Sequence, residues 1–194
     1  MKRILCFGDS NTWGYDSRSF FGEQYPSDIR WTGLLRQSGY EAVNYGQNGM
    51  CVPEGAALGW VLNLAKNNRP ADAVTVMLGS NDLLRMDRAE EIGARMENLI
   101  KGLKEYISSE TILLIAPPVL KPGIWVSDEK AIVESQRLAE VYRGIADKEQ
   151  TAFADASEWG IEVLSDGAHF SPSGHAVFAE KLAGKLDAIT GEGK

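Results

Sequence analysis

A serine hydroxyl is a weak nucleophile until a base takes its proton, so the two histidines of this chain limit where serine chemistry can be built. His169 follows Asp166 by three residues, a spacing that lets the carboxylate reach the imidazole within one turn. There it would fix the tautomer and stabilise the imidazolium. His175 has no acid so placed, and His169 is the expected base. The expected nucleophile is Ser10, in Gly8-Asp-Ser-Asn-Thr12, where the apolar run Ile4-Leu-Cys-Phe7 stops in turn formers. Taken alone, Ser10 reads more simply as a helix cap; the later stretches change that balance. An oxyanion formed by acyl attack needs preorganised donors. Three are available: the Ser10 N–H, the Asn81 amide in Gly79-Ser-Asn-Asp82, and an N–H from the loop Gly46-Gln-Asn-Gly49.

Asp9 and Asp82 offer a rival chemistry. With His169 they could form a divalent-metal site and make a phosphohydrolase. Their places beside Ser10 and Asn81 favour a plainer role, accepting backbone N–H bonds that stiffen the two loops. A G-x-S-x-G elbow and a Gly-rich phosphate loop are both missing from the sequence. A third alternative is a flavodoxin-like binding module that keeps a fold without chemistry.

The positioning elements follow from the pattern. Ile4 to Phe7 reads as a central parallel strand covered on both faces. Further strands are expected at Glu41–Tyr45, from Val74, at Thr111–Ala116 and, weakly, at Thr151–Ala154. Helices are expected at Trp31–Gln37, Glu54–Asn67, Arg88–Ile107 and Lys130–Lys148. A last one starts with Ser171 as N-cap and Pro172 at its first position. The Arg88–Ile107 stretch carries a stripe of Ile92, Met96, Leu99, Ile100, Leu103 and Ile107, the signature of a core-facing helix. Strands alternating with helices imply an α/β fold with helices on both faces of a parallel sheet. A five-stranded flavodoxin-like order, 2-1-3-4-5, in a three-layer α/β/α sandwich fits this strand count, in one domain over residues 1–194. In such sheets ligands collect beyond the carboxyl ends of the strands, where Ser10, Asn81 and the Gly46–Gly49 loop all fall.

The blocks quoted above resemble, in order, those of the SGNH (GDSL-type) hydrolases, a family of esterases and acyl hydrolases. That family begins with Gly-Asp-Ser, carries Gly-x-Asn-Asp in the middle and finishes with Asp-x-x-His. The resemblance runs from about Lys2 to Leu186. The segments RILCFGDSNTWG and DIRWTG are similar to the bacterial arylesterase/acyltransferase branch. The resemblance implies a serine esterase working through an acyl-enzyme, with transfer to water or another alcohol and no cofactor. Ser10 would attack, His169 shuttle the proton and Asp166 orient it, while Ser10, Gly49 and Asn81 hold the oxyanion. Gly49 enters because the family donates from a small residue three positions after a first glycine, here Gly46. The leucine of the family's name is replaced by Asn11.

The residues beyond the strand ends are bulky: Trp13 and Tyr15, Met50 to Val52, Leu83 and Leu84, and Ile124 to Val126. They predict a small pocket for short acyl esters, with Trp13, Tyr15 and Trp125 touching substrate. The net charge of −7 argues against nucleic acid as a partner, and nothing approaches the ~18 apolar residues of a spanning helix. The four-residue apolar run after Met1-Lys-Arg3 is too short for a signal peptide, whose core needs ~7–15, so a cytoplasmic protein is expected. Cys6 and Cys51 make no disulfide framework. Residues Tyr15 to Arg30 lack any period yet carry Phe20, Phe21 and Tyr25, and the Val119–Ser127 loop adds Trp125. These two loops predict a homo-oligomer contact. Gly191 to Lys194 reads as a frayed tail.

Overall fold

Each apolar run becomes a strand in the computed structural model, which describes residues 1–191. The strands are β1 (Lys2–Gly8), β2 (Tyr40–Gly46), β3 (Ala73–Met77), β4 (Ile112–Ala116) and β5 (Ala152–Asp155). All pair in parallel, in the expected order β2-β1-β3-β4-β5. Gly8 faces Gly46 on one side and Met77 on the other, so the first three strands end level. The helices are α1 (Ser10–Trp13), α2 (Trp31–Leu34), α3 (Gly55–Asn67), α4 (Ser80–Leu84), α5 (Ala89–Lys104), α6 (Glu129–Glu149) and α7 (Pro172–Thr190).

The pleat sorts the strands' side chains between two cores. Leu5 and Phe7 of β1 join Val61 of α3, the α5 stripe and Leu138 and Tyr142 of α6. Ile4 and Cys6 face the opposite way, toward Trp31 of α2, the adjoining Leu35, and Phe178, Leu182 and Leu186 of α7. The result is the expected three-layer sandwich. Ile92, Met96, Leu99, Ile100 and Leu103 are all fully buried, so truncating any one of the leucines to alanine costs ~2–5 kcal/mol.

Local differences from the sequence reading have local causes. The Arg88–Ile107 helix stops at Lys104, although Ile107 stays buried and its N–H still reaches Leu103 O at 3.0 Å. The Trp31–Gln37 helix splits into α2 and a 3-10 turn, Leu35–Ser38. The polar stretch after β3, for which the sequence pattern set out no element, winds into the short helix α4. Residues 14–25 form a hairpin-like excursion. Tyr15 bridges Gln24 in antiparallel fashion, and the Tyr25 N–H donates to Gly14 O at 2.7 Å. Tyr25 is buried, whereas Phe20 and Phe21 at the tip are 94% and 84% exposed. The α7 start is as expected: Ser171 Oγ accepts the Gly174 N–H at 3.0 Å. The expected tail after Gly191 lies outside the described residues. Among those described, no helix is long and apolar enough to cross a membrane.

Candidate active site

Five strand ends feed one rim. Ser10 follows β1 directly as the first residue of α1, and Asp9, not Ser10, caps that helix, its Oδ1 accepting the Asn11 N–H at 2.9 Å. At the start of a helix the Ser10 N–H has no intrahelical acceptor. The short helix lies hard against the end of β2: a Cβ on Gly46 would stand 2.2 Å from the Trp13 nitrogen, so only glycine fits there.

His169 Nε2 lies 3.0 Å from Ser10 Oγ, and His169 Nδ1 lies 3.0 Å from Asp166 Oδ2. An ionised carboxylate only accepts, so Nδ1 carries the proton and Nε2 presents its lone pair to the Ser10 hydroxyl. Asp166 Oδ1 accepts the N–H groups of Ala168 (2.8 Å) and His169 (2.9 Å). Burial works against the Asp166 charge, but these donors, the Ser17 hydroxyl and the imidazole together hold its carboxyl below the usual range. For His169, burial outweighs the pull of Asp166 and leaves the imidazole below its ordinary value. The ring is flanked by Tyr15 and Trp125, each with its centroid 4.8 Å away.

The loop after β4 braces this acid–base segment. Lys121 N–H donates to Gly167 O at 2.9 Å, and Trp125 N–H donates to Asp166 O at 3.1 Å. A Cβ on Gly123 would lie 2.3 Å from the Asp166 carbonyl carbon, which is how closely the two segments run. Asn81 sits in the first turn of α4, where its amide donates to Met50 O at 3.1 Å and so ties the third loop to the second. Gly49 lies on that second loop with φ +74°, a conformation that disfavours any side chain.

Ser10, His169, Asn81, Gly49, Tyr15, Trp125 and Asn48 together line a cleft of about 350 Å³. Trp13, expected at substrate, is not among them; its ring stands 6.4 Å from that of Tyr15. Asn48 was missed by the sequence reading, although it lies inside the loop singled out for Gly49. A groove of about 380 Å³ between Met86 and Val133 is lined by no serine, cysteine or histidine.

Asp9 and Asp82 are engaged elsewhere. Asp82 accepts the Val52 N–H at 3.0 Å and the Arg95 guanidinium at 2.9 Å. Burial pushes the Asp9 carboxyl up to about 7, helped by the nearby Asp82 charge. Among the described residues, no three His, Cys, Asp or Glu side chains group as a metal ion would need. His175 is fully buried between Tyr25 and Phe170, its Nδ1 facing the Trp31 N–H at 3.4 Å, and burial pushes it down to about 4. Burial likewise pushes the Cys51 thiol up to about 11, away from nucleophilic use.

A flavodoxin-like sheet carrying Ser, His, Asp and Asn at its strand ends defines a class of acyl hydrolases. The sequence matches the GDSL-like lipase/acylhydrolase family over residues 6–177, and the chain belongs to that family. It is a carboxylic ester hydrolase. Among solved structures it is similar to an aryl esterase of M. smegmatis, with 25% identity, TM-score 0.83, and coverage of 97% of this chain and 100% of that one. Est24, a carbohydrate acetylesterase from Sinorhizobium meliloti, matches with the same identity, TM-score and coverage. An acetyl-xylooligosaccharide esterase mutant from Geobacillus shares the fold at 18% identity and TM-score 0.66, covering 95% of this chain and 94% of that one. No curated protein matches the chain.

Proposed function

We propose that the chain, acting as one catalytic domain, cleaves short-chain carboxylic esters by a serine mechanism. The observation that carries this is the continuous hydrogen-bonded line from Asp166 through His169 to Ser10 Oγ, both links at 3.0 Å, opening into the cleft. His169 Nε2 takes the hydroxyl proton as Ser10 Oγ attacks the ester carbonyl. The oxyanion of the tetrahedral intermediate rests on the Ser10 and Gly49 N–H groups and the Asn81 amide. His169 then gives its proton to the departing alcohol, leaving an acyl-Ser10. Water attacks that acyl group with His169 again as base; the acyl–Oγ bond breaks as His169 returns the proton to Ser10 Oγ, and the carboxylic acid leaves. An alcohol in place of water would give a new ester by the same steps.

Several features support a short acyl group. The cleft lies near the lower end of the ~300–1,000 Å³ usual for small-molecule sites, and Tyr15 and Trp125 wall it. Each acyl methylene gains ~0.8 kcal/mol only where it is buried, and a walled pocket offers a clash instead. The two free cysteines fit a reducing cytoplasm. Exposed Phe20, Phe21 and Ile124 fit a contact with further copies of the chain.

An ester series from two to twelve carbons on one leaving group, with and without added alcohol, tests the proposal. It expects the highest kcat/KM between acetate and butyrate, and ester product when alcohol is present. A profile that rises beyond eight carbons would contradict the short-acyl reading.

A further inference from the structure

Asn11 stands where the family's name has leucine, and it is buried. Its side-chain N–H donates to Ala168 O at 3.0 Å, and its side-chain oxygen accepts the Phe170 N–H at 2.9 Å. Those two peptide groups bracket His169. The near end of this grip is itself fixed, because the Asn11 N–H bonds Asp9 and the Asn11 carbonyl accepts the Trp31 indole N–H at 2.9 Å. We propose that Asn11 is a positioning residue that sets the separation of Ser10 Oγ and His169 Nε2 by holding the backbone on both sides of the base. The proposal rests on the serine-esterase mechanism argued above for the same site.

The physical reason lies in the chain's topology. Ser10 and His169 are 159 residues apart and meet across a single 3.0 Å contact. One such hydrogen bond does not hold two loops in register. A primary amide donates and accepts in one plane, so Asn11 can satisfy both a carbonyl and an N–H of the base's own segment. Leucine has the same branching and neither function. It would leave Ala168 O and Phe170 N–H buried without these partners, and the His169 segment would shift to regain them. Displacements of ~1 Å between reacting groups cost on the order of 10²-fold in rate.

Asn11→Leu is therefore the test, because it removes both bonds while keeping the shape. The readouts are kcat, KM, the rate of inactivation by a fluorophosphonate, and the melting curve, all taken above the His169 ionisation. The expected result is a fall of ~10–100-fold in both kcat and inactivation rate, with KM within about twofold and a cooperative melt. Asn11→Asp keeps the acceptor for the Phe170 N–H and should lose less than Asn11→Leu. A lower melting temperature with unchanged kcat and inactivation rate would overturn the proposal, as would a change in KM alone. Should Asn11→Leu not fold, wild-type kcat and inactivation rate in Asn11→Asp would overturn it equally. Wild-type protein that escapes labelling at Ser10 would instead sink the serine mechanism. Equal labelling of wild type and Asn11→Leu sinks only the clamp.

Discussion

Replacing Asp9 with asparagine tests how the loop beside Ser10 is built. The Asp9 carboxyl is 1% exposed, and burial raises it from 3.8 to about 7, with the Asp82 charge adding to the rise. Between those two values the folded chain holds a proton that the unfolded chain has released. Stability contributed by this group is therefore full below pH ~4 and is lost as pH climbs toward 7. Three pH units at ~1.4 kcal/mol each set the loss at up to ~4 kcal/mol. Asp9→Asn has no such ionisation, and its side-chain oxygen can still accept the Asn11 N–H. Urea unfolding of both proteins from pH 4.5 to 8.5 should show the variant gaining on the wild type through this window, then running parallel above it. Curves that stay parallel throughout would refute the buried, proton-holding carboxyl. The same variant should keep kcat within several-fold. A large loss restored by a divalent cation would place Asp9 in a metal site instead.

Asn81→Ala should cost ~10²–10³ in kcat with little change in KM, because the amide acts on charge that develops only in the transition state; steady-state kinetics on a short ester reads both. The kcat/KM of the wild type should rise with pH through one ionisation below the ordinary ~6.5 of histidine, since burial of His169 outweighs Asp166, and then level off. A midpoint above 6.5 would mean that Asp166 dominates. Exposed Phe20 and Phe21 predict that sedimentation will find an assembly larger than one chain at micromolar concentration, and that Phe20→Ser with Phe21→Ser will dissociate it.

The α/β alternation was legible because the first four strands are short runs ended by glycine or proline and the later crossovers carry helical stripes. β5 ends in Asp155 and read weakly, and the strand order leaned on the family resemblance as well as on the count. Ser10 alone reads as a helix cap and Asn81 alone as a turn residue; they could be singled out with Asp166 and His169 because their blocks stand in the order of the SGNH family. The Trp13 placement was not legible: in a four-residue helix one position decides whether a ring faces the cleft, and α1 turns it away from the lining. The β4 loop was read as an exposed apolar surface, yet it also braces the acid–base segment. Its backbone bonds to Asp166 and Gly167 leave no mark on side-chain pattern. Asn11 carried a signal in plain view, a polar residue at a position that its burial would otherwise penalise. The sequence alone could not say which partners, 157 and 159 residues away, would satisfy it. The lowered ionisation of His169 also had to wait for the fold, because burial is a tertiary property. From the sequence alone, Asp166 would be expected to move it upward.

The nucleophilic role of Ser10 is open to one direct measurement. Intact-mass analysis after fluorophosphonate treatment, followed by peptide mapping, should find one adduct per chain, on Ser10, formed as activity disappears. Ser10→Ala should take up none and lose several orders of magnitude in kcat, keeping ~10³–10⁴ over water from the oxyanion donors and binding. An adduct on another residue, or near-normal turnover by Ser10→Ala, would contradict the mechanism.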